Sequence, residues 1–134
     1  MKTIIAGSRN ITDYNLIKTT LQNISLNITE VVSGKAIGVD QLGEKYAEEF
    51  GLPIHPFPAD WKKYGKSAGY KRNEEMANNA EALVAFWDGK SSGTKHMIDI
   101  AKRKKLKVTI VIVKEIKDIK WINVAVLIID IIYH

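Results

Sequence analysis

The chain has 134 residues, 46% hydrophobic and 26% charged, a composition that suits one folded domain and excludes wholesale disorder. It holds no cysteine, which excludes a disulfide framework, a thiolate metal site and a cysteine nucleophile, and fits a reducing, cytoplasmic setting. The net charge of +5 is lopsided: residues 1–60 carry five Lys/Arg against seven Asp/Glu, and residues 61–134 carry 15 against eight.

Residues 3–6 form a short β-rich run closed by Gly7, which reads as a buried strand. The apolar part of that run is too short for the central region of a signal peptide. No stretch of the chain reaches the ~18 apolar residues of a membrane span, so no membrane partner is expected. Leu16, Ile17, Leu21 and Ile24 recur at helical spacing, with Thr12 or Asp13 in place to cap the helix. Residues 30–33 are a second strand, ended by Gly34. Val39, Leu42, Tyr46, Ala47 and Phe50 trace a second helical face that Gly51 stops. Residues 54–57 read as a third strand between Pro53 and Pro58, and residues 59–69 carry no periodicity that assigns them.

A helix over 70–80, a strand over 82–87, a helix over 94–105 and a strong strand over 107–113 complete the pattern. Strands alternating with helices of ~10 residues imply parallel strands joined by right-handed crossovers. The expected fold is therefore α/β, a Rossmann-like three-layer sandwich with a mainly parallel five-stranded sheet, over residues 1–115. An apolar C-terminal extension, 116–134, stands outside that scheme. Eleven of its last 14 residues are apolar, interrupted by Asn123 and Asp130. An extra strand buried against the core or a partner is the expectation there, and a homodimer is the expected assembly.

In open α/β sheets ligands bind beyond the carboxyl ends of the strands, where strand order reverses. The loops after strands one, two and four are therefore the places to look. They supply Gly7, Ser8 and Arg9, then Ser33, Gly34, Lys35, Gly38 and Asp40, then Asp88, Gly89, Ser91, Gly93 and Thr94. Glycine lets backbone approach a ligand closely, and each loop leads into a helix whose N-terminal N–H groups and partial positive charge attract phosphate. Three such loops at one edge, with hydroxyls and the charges of Arg9 and Lys35, outweigh the reading of any one of them as a tight turn.

Between residues 59 and 73 lie three aromatics, two glycines and a cluster of basic residues. Trp61 and Tyr64 are placed to stack on a base or to pack in the core, while Arg72 is placed to reach phosphate or ribose. Gly65-Lys66-Ser67 and Gly89-Lys90-Ser91 fail as phosphate-binding P-loops, because Asp60 and Val84 stand where that motif requires glycine. No G-x-G-x-x-G occurs. His55, His96 and His134 share no ligand spacing with carboxylates, so no metal and no cofactor is expected. His96, beside Gly93 and Thr94, is a candidate ligand contact. Lys102, Arg103, Lys104 and Lys105 follow a helix end, where cations suit the dipole, and read as a solvated face.

The segments GSRNITDYNLI, SGKAIGVDQLGEKYAEEFGLPI, ADWKKYGKSAGYKRNEEM and ALVAFWDGKSSGTKHMIDIAKRKKLKV follow in order. Together, over about residues 2–113, they resemble the YspA/cpYpsA-related branch of the SLOG superfamily, which is frequent in phages and bacteria. The resemblance implies a Rossmann-like domain that binds nucleotides or nucleotide-derived ligands of the ADP-ribose type. It also implies kinship with the LOG-type phosphoribohydrolases, which cleave the base from a nucleoside monophosphate. Those enzymes carry an Arg-Lys pair before a Met on a helix, and a P-G-G-x-G-T-x-x-E loop.

On that pattern Arg72 matches the LOG catalytic arginine, Asn73 replaces the lysine, and Gly93-Thr94 match the G-T. Met97 replaces the acidic residue, and Lys35 stands where many relatives have a second glycine. Losing that carboxylate removes the group expected to grip the ribose hydroxyls; Glu75, Asp88, Asp40 and Asp60 are the candidates to substitute. The leading expectation is a sensor or sequestering protein for a nucleotide-derived small molecule. The alternative is an N-glycosidase acting on nucleoside 5′-monophosphates, with Arg72 catalytic. Nucleic-acid binding through the basic second half ranks third, since its charges scatter over helices and mark no known reader.

Overall fold

The computed structural model describes residues 1–115 and 124–131. Six strands, β1 (Lys2–Gly7), β2 (Glu30–Ser33), β3 (Ile54–Pro56), β4 (Ala82–Trp87), β5 (Lys107–Glu115) and β6 (Val124–Ile131), form one sheet in the order β3-β2-β1-β4-β5-β6. The first five run parallel. The fold is the expected α/β, Rossmann-like sandwich. In the C-terminal extension, β6 pairs antiparallel with β5, from Val108 opposite Ile131 to Glu115 opposite Val124. The remainder of the extension, 116–123 and 132–134, lies outside the described residues.

Alternation along the central strands feeds two separate cores. Ile4, Leu83, Ala85 and Val108 point to one face of the sheet, where Met76, Met97 and Ala101 of two helices cover them. Ile5, Val84, Phe86 and Val111 point to the other, against Ile17, Leu21, Val39 and Tyr46. This period-2 split is what strands buried on both faces require. Helices α1 (Tyr14–Asn23) and α2 (Val39–Glu49) lie on the second face, and α4 (Ala68–Asn78) and α5 (Ser92–Arg103) on the first. Asp13 caps α1 by accepting the Leu16 N–H at 3.2 Å. No helix among the described residues is long and apolar enough to cross a membrane.

The aperiodic stretch 59–69 folds into single turns. Asp60 accepts the Lys63 N–H and starts α3 (Trp61–Tyr64); a 3-10 turn over Gly65–Ser67 then runs into α4, which begins at Ala68, two residues before the periodicity suggests. Elements this short carry no 3.6-residue repeat, which is why the sequence pattern misses them. After β1 the chain builds outward through β2 and β3. It then returns to the other side of β1 with β4. That reversal places the carboxyl ends of β1 and β4 side by side and opens the crevice in which the site lies.

Candidate functional site

A cavity of about 230 Å³ opens at the reversal. Gly7 and Arg9 reach it from the end of β1, Asp40 from α2, Trp61 from α3, Arg72 and Asn73 from α4, and Ser91, Gly93 and Thr94 from the start of α5. Nine of the residues expected from the sequence are thus brought to one hollow by the end of β1 and four helices. Two further hollows share residues with it. One is bounded by Arg9, Asp88 and Ser91, the other by Arg9, Gly34, Lys35, Trp61 and Arg72. Arg9 borders all three.

The remaining candidates do not line the main cavity. Ser8 is buried, and its hydroxyl accepts the Asp88 N–H at 3.1 Å, tying the β1 loop to the β4 loop. Ser33 is buried and donates to Glu44 at 2.6 Å, while accepting the Lys35 N–H at 3.2 Å. Gly38 has φ of +91°, and a Cβ there would come within 2.8 Å of the Arg9 backbone, so glycine lets the β1 and β2 loops touch. Gly89 turns the chain in open space. These four shape the loops and do not line the cavity. Lys35 itself holds a left-handed φ of 60°, and its ammonium pairs with Glu44 at 2.7 Å. Glycine would suit that backbone without the steric cost a side chain incurs.

Gly34 carries the tightest part of the design. A Cβ at that position would lie 2.8 Å from both Arg72 Nη1 and Asp40 Oδ2. The bare backbone lets both groups close in, and the Gly34 carbonyl accepts a hydrogen bond from Arg72 Nη1. Arg72 Nε donates to Asn73 Oδ1 at 3.1 Å. Asn73, only 6% exposed, uses its amide nitrogen to contact His96 Nδ1 at 3.1 Å and the Gly93 carbonyl at 3.4 Å. Asn73 therefore ties the arginine to the first turn of α5. His96 also stacks on Tyr70 with ring centroids 4.1 Å apart, and burial lowers its pKa.

Asp40 is 6% exposed. Its Oδ2 accepts the Ala36 N–H at 3.1 Å. Burial pushes its pKa up to about 6, against the downward pull of the Ala36 N–H and of Arg72 and Arg9; Glu44 adds to the rise. Burial in turn lowers the pKa of Arg72, with Asp40 opposing and Arg9 reinforcing that shift. Arg72 remains charged at any physiological pH. In the adjoining hollow, Asp88 Oδ1 accepts the N–H groups of Lys90 and Ser91, each at 2.8 Å. Burial pulls the Asp88 carboxyl upward, yet these N–H donors and the Ser8 contact outweigh it and hold it below its usual range. They also shape the turn that delivers Ser91 to the start of α5, a helix that opens without a side-chain cap. Its first N–H groups and positive dipole end face the cavity.

Residues 1–64 match the model of the YAcAr family, the YspA, cpYpsA-related SLOG family. Over this stretch, a little under half of the chain, the sequence is similar to that family. No curated protein matches the chain. The family match spans β1 to β3, α1 and α2 and closes at the end of α3, so it includes the Gly7 and Gly34 loops and Asp40. The second wall of the site, formed by α4 and α5, lies beyond it.

Sequence reading missed Lys66, Gly69 and Tyr70, which also line the cavity. Gly69, Arg72, Asn73 and Met76 recur at helical spacing and share one face of α4, a signal available in the sequence. Nothing local marks Lys66. Met97, in the place of the LOG acidic residue, lines the cavity and is 1% exposed. Of the four acidic substitutes named for it, Asp40 is the one at the main cavity. Trp61 and Tyr70 are exposed at the rim, whereas Tyr64 stays outside, flanked by the ammonium groups of Lys63 and Lys71. His55 contacts Glu30 at 2.8 Å, away from the site. The Lys102–Lys105 cluster stands at the far end of α5 from the cavity.

Proposed function

We propose that the chain binds a nucleotide or nucleotide-derived ligand of the ADP-ribose type in this crevice, as a sensor or sequestering protein. One observation carries the reading: anion-binding and base-stacking groups converge on a single hollow. Arg9, Arg72, Lys66 and the uncapped start of α5 supply positive charge, and the exposed Trp61 and Tyr70 rings stand at the rim. Phosphate suits the first set and a planar base the second. The match of residues 1–64 to the YspA, cpYpsA-related SLOG family supports the same reading. The test is a thermal-shift panel of nucleoside monophosphates, ADP-ribose and its cyclic derivatives. A ligand at a hundred times its dissociation constant stabilises by about 2.7 kcal/mol, a rise of several degrees in Tm. Arg72→Ala should abolish the shift. A wild-type protein indifferent to the whole panel refutes the proposal.

A second reading is hydrolysis of the N-glycosidic bond of a nucleoside 5′-monophosphate, and Asp40 is the observation that favours it. A buried carboxylate with a pKa of about 6, in a cavity it shares with an arginine, is suited to take a proton from water attacking the anomeric carbon. Chromatographic detection of free base from a nucleotide panel decides it. Base release that is absent, or unchanged in Arg72→Ala, refutes this reading and leaves binding untouched.

A further inference from the structure

Two groups at the cavity wall are each left with one unmet hydrogen-bonding atom. Arg72 commits Nη1 to the Gly34 carbonyl and Nε to Asn73, and Nη2 has no partner within the described residues. Asp40 commits Oδ2 to the Ala36 N–H, and Oδ1 has none. Neither atom is sealed in, since no fully buried side-chain polar atom among the described residues lacks a partner. The two side chains press on Gly34 from the same side, yet no ion pair within 4.0 Å joins them. A cation donor and an anion acceptor held close together but not closed on each other fit a ligand that fills both, an acceptor toward Arg72 and a donor toward Asp40.

Position within the cavity narrows the donor. Trp61 and Tyr70 stand exposed at the rim, where a base would stack, while Asp40 lies deep, beneath the Gly34 turn. Phosphate belongs with the arginines and the α5 terminus. The part of a nucleotide that lies between base and phosphate, and that donates hydrogen bonds, is the sugar. We propose that Asp40 accepts hydrogen bonds from the ribose hydroxyls, so that the site selects ribonucleotide-derived ligands over their deoxy counterparts. The proposal rests on the nucleotide-binding reading above and specifies its substrate class.

The test is calorimetric titration of wild-type protein and of Asp40→Asn with AMP, GMP, 2′-deoxy-AMP, 3′-deoxy-AMP and 2′-deoxy-GMP. Asparagine keeps an oxygen for the Ala36 N–H, and a single cooperative melting transition shows that the variant folds. The wild type should bind each ribonucleotide about tenfold or more tightly than its deoxy analogue, the scale of one hydrogen bond to a charged group. In Asp40→Asn that preference should shrink to about twofold, with deoxynucleotide binding little changed. Equal wild-type binding of ribo and deoxy ligands overturns this proposal and leaves nucleotide binding standing. So does a ribose preference that survives in Asp40→Asn. So, too, does a variant that loses discrimination between AMP and GMP while keeping its ribose preference, because Asp40 then reads the base. Absence of binding by all five overturns this proposal, while the thermal-shift panel, which also holds ADP-ribose and its cyclic derivatives, decides the nucleotide reading separately.

Discussion

Replacing Asp40 by asparagine should stabilise the free protein near neutral pH, and the size of the gain should depend on pH. The carboxyl titrates near 3.8 in the unfolded chain and near 6 in the fold, because burial penalises its charge. Below pH 4 it is protonated in both states and costs little. Between about pH 4 and 6 the unfolded chain releases its proton first, so stability falls as pH rises. Above pH 6 the whole penalty is present, roughly 3 kcal/mol from the pKa difference. Over pH 4 to 7.5 that is a loss of about 2 kcal/mol attributable to Asp40 alone. Glu49, lowered chiefly by the Lys18 hydrogen bond, and Asp88 titrate in the opposite sense, so the measurement must be a difference. Urea denaturation of wild type and Asp40→Asn at pH 4 and 7.5 supplies it. The variant should gain about 2 kcal/mol on the wild type between the two conditions. A gap that does not change with pH refutes the argument that the fold holds this carboxyl against its tendency to remain protonated.

Gly34→Ala should cost about 1–3 kcal/mol and displace Arg72, since its Cβ meets Nη1 at 2.8 Å; ligand titration with unaltered affinity would contradict the close approach described above. Asp88→Ala removes the acceptor shared by the Lys90 and Ser91 N–H groups and should cost about 1–2 kcal/mol in chemical denaturation at pH 7. Because the Asp88 pKa is depressed in the fold, its stabilisation is present above the ordinary aspartate range and fades as pH falls. The variant should therefore converge on the wild type in acid, and a cost that persists at pH 3 would count against it. Phe86→Ala, at a fully buried side chain of the central strand β4, should lose about 3–5 kcal/mol; a loss under 1 kcal/mol would show that the core collapses to fill the space.

What the amino-acid pattern conveyed best was the scaffold. β2 and β4 span the residues expected of them, and the rest shift by one or two at their ends, because buried strands and amphipathic helices write their periods into the chain. The β-end loops were legible for the same reason: once strands are placed, the crevice follows from topology. Individual side chains were harder to assign. Ser33 and Arg72 both read as polar groups at a loop or loop edge, yet one turns inward to Glu44 and the other faces the cavity. Gly34 and Gly38 look alike in sequence. One makes room for Arg72 and Asp40, the other for the Arg9 backbone, and that distinction depends on partners 38 and 29 positions away, which no local pattern encodes.

The exchange of carboxylates between the two walls bears on which reading of the site is stronger. In the LOG pattern the acidic residue sits one turn into the helix after the G-T; here that place is Met97, packed among the apolar residues between α5 and the sheet. The carboxylate comes instead from the opposite wall, as Asp40 of α2, and it is the one acidic residue among those lining the main cavity. Glycoside cleavage by a pair of carboxyl groups divides the work, one protonating the leaving group and the other activating water or attacking the sugar. With one carboxylate, already holding the Ala36 N–H and faced by Arg72, the cavity supplies a grip on sugar hydroxyls more readily than an acid–base pair. Keeping that lone carboxylate buried costs the fold stability near neutral pH, a cost expected where a group serves a ligand instead of the scaffold. Recognition of a ribonucleotide therefore requires less of these residues than its hydrolysis does.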